Sequence, residues 1–328
     1  MPLGQVGWKH GLKEILYLTD FSRPSRDALP FAVALAHHYQ AAIRAVHVLK
    51  AKRQDPRDPG TEGCLTLTDT ETARAEMAGL ASDFRDVIRQ LRIMVRPENG
   101  IWPAVQEILQ SYGSDLIVLG THGRTGLVKH SLGSIAEEVS RRSPVPVLTV
   151  GPRVRCGPCK ENGFQRLLVP TTLEPGLQAA ASYAFALAEE NCARLVLLHV
   201  INGGLRDQEN GGPAPAAELI RRLLETMPVE AANCSRYESL VRYGEPAKQI
   251  IDTARMRDAD LIVMAVRDHR ADLEAATHFE GTTAHKVVAG SPCPVLTIRS
   301  SSLASDAEML CSGASQRLFD RLQQPSCT

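Results

Sequence analysis

The sequence has no net charge, no long apolar run and no lysine-bearing phosphate loop, and each absence removes a class of function. Its 37 Lys and Arg balance 37 Asp and Glu, so no bulk attraction to nucleic acid or to an anionic membrane is expected. No apolar segment reaches the ~18–20 residues that span a bilayer. Residues Met1 to Lys13 lack the apolar block of a secretory signal. The expectation is a soluble, cytoplasmic chain with neither nucleic acid nor membrane as partner. The pattern G-x-x-x-x-G-K-S/T is missing, which argues against a P-loop nucleotidase. The glycines of a dinucleotide fingerprint should follow the first strand, whereas here they come near residue 120. The eight cysteines are scattered, and in a cytoplasmic chain most read as reduced small hydrophobes.

What is present is a glycine-punctuated loop in an informative setting. Gly120-Thr121-His122-Gly123 follows the apolar run Asp115 to Leu119, and after nine residues Gly133-Ser134 opens a helix-like segment reaching Arg142. Strand, glycine loop and helix start together form an anion cradle. Glycines let backbone N–H groups approach a phosphate, and a helix N-terminus adds unpaired donors and the positive end of its dipole.

The chain also repeats itself. Its first half reads as strand Ile15–Thr19, helix Ser25–Tyr39, strand Ala42–Leu49, helix Thr70–Gln90, strand Arg92–Arg96, helix Pro103–Tyr112, strand Asp115–Leu119 and closing strand Pro146–Val150. In the second half Leu167–Thr171 matches the first strand, Leu195–Val200 the second, and Asp260–Met264 repeats Asp115–Leu119. Ser291-Pro-Cys-Pro-Val-Leu-Thr-Ile298 repeats Ser143-Pro-Val-Pro-Val-Leu-Thr-Val150. This is a tandem duplication of a unit of about 140 residues. Alternating strands and helices predict an α/β chain of two tandem, open, doubly wound parallel sheets of five strands each. The units are placed at 1–152 and 164–300, with a linker at 153–163 and a tail at 301–328. A short amphipathic helix is expected over Ser315 to Gln324. In such sheets ligands sit beyond the carboxyl ends of the strands, where Asp20, Val48 and the Gly120 loop converge.

These residues resemble the universal stress protein family in its tandem form. The family's nucleotide motif is Gly-x2-Gly-x9-Gly-Ser/Thr, and Gly120, Gly123, Gly133 and Ser134 match it; Asp20 resembles its strand-end aspartate and His47-Val48 its second strand end. The resemblance implies a Rossmann-like fold and bound ATP, with Mg2+ as an accompanying ion. It places Asp20 beside the adenosine, Val48 against the adenine, and Leu119 and Gly120 along the nucleoside pocket. Gly123, Gly133, Ser134 and Ile135 would then contact phosphates and ribose. It further implies an adenine-nucleotide partner and an intrachain pseudo-dimer made through the closing strands, packed face to face. A homodimer of chains stays open.

The second half departs from the motif. Thr172 stands where Asp20 stands, Ala265 replaces Gly120, and Asp268 replaces Gly123, with twelve residues rather than nine before Gly281. Asp272, Glu274 and Glu280 add negative charge, so one nucleotide per chain is expected, in the first half. Cys156-Gly-Pro-Cys159 has the spacing of a redox motif but lies in the connector, which favours an incidental pair. His122 reads as loop packing, and His37 and His38 as surface residues. No catalytic or metal-ligating residue is identified. The expected function is a stress-response regulator that binds ATP, with a slow ATPase or phosphotransferase, or a chaperone-like scaffold with a vestigial site, as alternatives.

Overall fold

The computed structural model describes residues 12–50, 67–84, 86, 88–96, 101–121, 133–158, 163–172, 178–202, 218–219, 236–266 and 282–299. The first half runs β1 (Glu14–Leu18), α1 (Arg23–Tyr39), β2 (Ala42–Lys50), α2 (Leu67–Asp83), β3 (Ile88–Arg96), α3 (Trp102–Tyr112), β4 (Leu116–Gly120), α4 (Ser134–Arg142) and β5 (Val147–Val150). The second runs β6 (Arg166–Thr171), α5 (Gln178–Glu190), β7 (Arg194–Ile201), β8 (Tyr237–Tyr243), α6 (Pro246–Met256), β9 (Leu261–Val266), α7 (Thr283–Gly290) and β10 (Val295–Arg299). The expected tail helix and the loop residues His122 and Gly123 lie outside the described residues.

Within each half the strands are parallel, in the order β3-β2-β1-β4-β5 and, for the second, β8-β7-β6-β9-β10. The strands are apolar on both sides because helices cover both faces. On β1, Ile15 and Tyr17 enter one core layer with Ala28, Phe31 and Leu35 of α1. Leu16 and Leu18 enter the opposite layer with Val105 and Ile108 of α3 and Val139 of α4. Each layer continues through both halves.

One expected boundary moves. The helix drawn to Gln90 ends at Asp83, and β3 begins at Ile88 instead of Arg92. The ladder with β2 accounts for the difference: Ile43 pairs with Ile88 and, after a bulge, Arg44 through Lys50 pair with Gln90 through Arg96. Cross-strand bonding from Ile43 to Lys50 of β2 outweighs the helical preference of Arg89, Gln90 and Leu91.

The duplication repeats down to single hydrogen bonds. Asp115 accepts from the backbone N–H groups of Lys13 and Glu14 at 2.8 and 2.9 Å, and Asp260 accepts from those of Gln165 and Arg166 at 2.9 and 2.8 Å. His47 Nδ1 meets Thr19 O at 2.7 Å, and His199 Nδ1 meets Thr171 O at 2.9 Å. Both histidines thus tie the ends of adjacent strands together.

The halves join through their closing strands, as expected, but edge to edge rather than face to face. β5 and β10 pair antiparallel, Leu148 opposite Leu296, which fuses two five-stranded sheets into one of ten strands. Edge pairing satisfies backbone donors and acceptors that face-to-face packing would leave exposed. Arg155 N donates to Pro292 O at 2.9 Å, and Arg299 Nη1 donates to Arg142 O at the end of α4 at 2.8 Å. On one face Asn191, after α5, donates to Tyr39 OH at 3.0 Å and its Oδ1 lies 3.0 Å from His38 Nε2. His38 is therefore a half-buried contact between halves, whereas His37 is exposed and pairs with Asp86 at 3.2 Å.

Candidate functional site

The turn after β1 builds one wall of a cleft. Ser22 caps α1, its hydroxyl accepting from Ser25 N at 3.4 Å. Asp20 Oδ1 in turn accepts from both Ser22 N (3.0 Å) and Ser22 Oγ (2.5 Å). The helix cap is thus Ser22, and Asp20 is the residue that holds the cap. Between them Phe21 adopts a left-handed conformation, φ 63, which is unfavourable for a bulky side chain. The conformation is held by Phe21 N donating to Thr19 Oγ1 at 3.0 Å and by ring contact with His47 at 4.4 Å.

Gly120 has a structural reason beyond any ligand. A Cβ there would lie 2.3 Å from Pro24 O and 2.8 Å from Ser25 N, so the first turn of α1 sits directly against the end of β4. Gly120→Ala must push α1 outward, and we expect a loss of about 1–3 kcal/mol, measured by urea unfolding. An unchanged midpoint would refute this close packing.

The other wall is the start of α4. Gly133 is its N-cap and supplies no side-chain acceptor. Gly133 N donates to Thr121 O at 2.5 Å, and Thr121 N donates to Val150 O at 3.1 Å, which anchors the loop's two ends to β5. Gly133 thus offers the first-turn N–H groups of α4 no side-chain acceptor, and a helix start capped by glycine is suited to an anion. In the second half the corresponding helix, α7, caps itself: Thr282 Oγ1 accepts from His285 N at 3.2 Å.

Between these walls lies a cavity of about 110 Å³. Asp20, Val48, Leu119, Gly120, Gly133, Ser134 and Ile135 all line it; Gly123 lies outside the described residues. The sequence reading missed Thr19, Ser25, Val46 and Ile101, which line it too. Only the Ser22–Ser25 capping pattern could have pointed to Ser25. Among the described residues no group of three or more His, Cys, Asp or Glu comes together as a metal cluster. No helix among them is long and apolar enough to cross a membrane.

Cys156 does not have the chemistry of a reactive thiol. Burial pushes it up to about 11, against its ordinary 9.0, whereas redox-active thiols are shifted downwards. Cys159 lies outside the described residues. Cys293 is fully buried and pushed up to about 12, and burial lifts the Tyr17 hydroxyl to about 12 as well. Below pH about 9 these groups are protonated in both folded and unfolded chains, and their contribution to stability is intact. As pH rises through the unfolded values, the unfolded chain releases protons that the native chain retains. Stability is therefore expected to fall between about pH 9 and about pH 12, visible as a declining urea midpoint. A flat profile there would refute the burial of these groups.

Comparison with known proteins agrees with the duplication. The Universal stress protein family profile matches residues 11–151 and again 163–299. A universal stress protein of Methanocaldococcus jannaschii is 28% identical over 156 residues, covering 42% of this chain and 94% of the relative. One from Thermus aquaticus is 33% identical over 141 residues, covering 42% and 99% respectively. Among solved structures, a universal stress protein from Archaeoglobus fulgidus superposes with TM-score 0.61 over 88% of this chain and 98% of its own, at 21% identity. That likeness concerns the fold.

Proposed function

The chain belongs to the universal stress protein family, and from that premise we propose that its first half binds ATP and acts as a cytoplasmic, nucleotide-dependent regulator in the stress response. The observation that carries the reading is the pairing of two walls in one cleft. Asp20 stands just beyond the end of β1, and the start of α4, whose N-cap Gly133 has no side chain, stands opposite. A carboxylate accepts hydrogen bonds from sugar or base donors, and helix N–H groups donate to phosphate. Val48, Leu119 and Ile135 give the adenine an apolar surface, and a ligand of ATP's length would extend from the cavity over the α4 start. An accompanying Mg2+ would rest mainly on the phosphates and water, the usual mode for this ion.

The second half differs on both walls. Thr172 lacks the carboxylate of Asp20, and the cap on α7 already occupies a donor that a phosphate would use. One ATP per chain is the expected stoichiometry in equilibrium dialysis. Two equivalent sites would refute the asymmetry, and no binding would refute the reading as a whole. The Cys156→Ser/Cys159→Ser double variant should bind ATP unchanged, with and without reductant. A reductant-dependent affinity would instead make the connector a redox element.

A further inference from the structure

The second half has its own cleft at the same topological position, and it is the larger of the two. Its cavity measures about 430 Å³, within the range of ~300–1,000 Å³ usual for small-molecule sites. Its walls are apolar, with Leu198, Val200, Ile250 and Met264 prominent, and its polar groups are threonines from the end of β6 and the start of α7. One lining residue does not belong to this half. Arg141, in the last turn of the first half's α4, reaches this cleft. It is the only charged residue among the described lining residues. Among the described residues it forms no ion pair.

We propose that this second cleft is a binding site for a small organic anion with an apolar body, and that Arg141 of the first half supplies its anchoring charge. Two independent observations lead there. First, among the described lining residues the sign of the fixed charge is reversed between the two clefts: Asp20 lines the first and Arg141 the second, while the acidic residues at 268–280 lie outside the described residues. A guanidinium beside apolar walls favours a carboxylate or sulfonate, to which its fork of donors can bind in two places. Second, the arrangement is not reciprocal. Aligning Ser143-Pro with Ser291-Pro places Ala289 where Arg141 stands, and among the described residues no arginine of the second half lines the first cleft. Duplication alone would give both clefts the same visitor. The second site is therefore incomplete without the first half, and the β5–β10 junction is what brings Arg141 to it. This inference does not rest on ATP binding in the first half.

The test uses the full chain and 8-anilinonaphthalene-1-sulfonate, a probe with an aromatic body and one sulfonate. Saturable binding of one probe per chain is expected, displaced by octanoate and at least tenfold more weakly by octanol. Arg141→Gln should weaken probe and octanoate binding by about tenfold or more, with Arg141→Lys intermediate. Ala265→Leu, which narrows the cavity at the end of β9, should weaken octanoate and octanol alike. Circular dichroism and the melting temperature establish that each variant is folded. No saturable binding, or equal affinity in wild type and Arg141→Gln, would overturn the proposal. Stoichiometric displacement of the probe by ATP would overturn it too, because the cleft would then be a second nucleotide site.

Discussion

Gly133→Asp is expected to lower ATP affinity by about a hundredfold or more while leaving the fold as stable as before or slightly more so. The two effects separate because the substitution acts on one helix end in two ways. Gly133 occupies the N-cap of α4 with φ −59 and ψ 140, a conformation open to any residue, so Asp introduces no backbone strain. Its carboxylate would accept from first-turn N–H groups that Gly133 leaves without a side-chain partner, a gain of a few tenths of a kcal/mol. The same carboxylate would then hold the donors proposed for phosphate and place a negative charge beside it. Gly133→Asn caps without the charge and should fall between wild type and Gly133→Asp. Calorimetry with ATP and a urea titration read the two arms. Undiminished affinity in Gly133→Asp would remove the α4 start from the site, and loss of binding together with stability would show only that the variant is misfolded.

The parts of this molecule legible in the sequence were those written in periodic or repeated residues. The matched apolar runs fix which segments are strands, and the repeated Asp115 and Asp260 reappear as the same pair of backbone contacts in each half. The cleft residues were legible because strand ends and helix starts in a parallel sheet must converge. Contacts made only by the tertiary assembly were not. The start of β3 at Ile88 depends on the partner strand. The need for glycine at residue 120 depends on the approach of Pro24, not on any ligand. His38, read as a surface residue, meets Asn191 because α1 and α5 lie on the same face of one continuous sheet. The same continuity carries Arg141 into the other half's cleft, and no local pattern marks that arginine as different from Arg142 beside it.

Replacing Leu148 or Leu296 by Ala should each cost about 2–5 kcal/mol, and the double variant should cost less than the sum by about 0.5–3 kcal/mol. Both side chains are wholly buried, they stand directly opposite each other at the centre of the β5–β10 pairing, and both belong to the core layer shared by the two halves. Opposed side chains on an antiparallel pair share one packing contact, so removing the second partner removes less than removing the first. Each strand also pairs within its own half, Leu148 beside Val118 of β4 and Leu296 beside Val263 of β9, which is why each single change is costly by itself. Urea unfolding of the four proteins gives the coupling directly. Strict additivity would mean that the closing strands do not meet in solution. The ten-stranded sheet would then be two sheets, and Arg141 would lose the junction that delivers it to the second cleft.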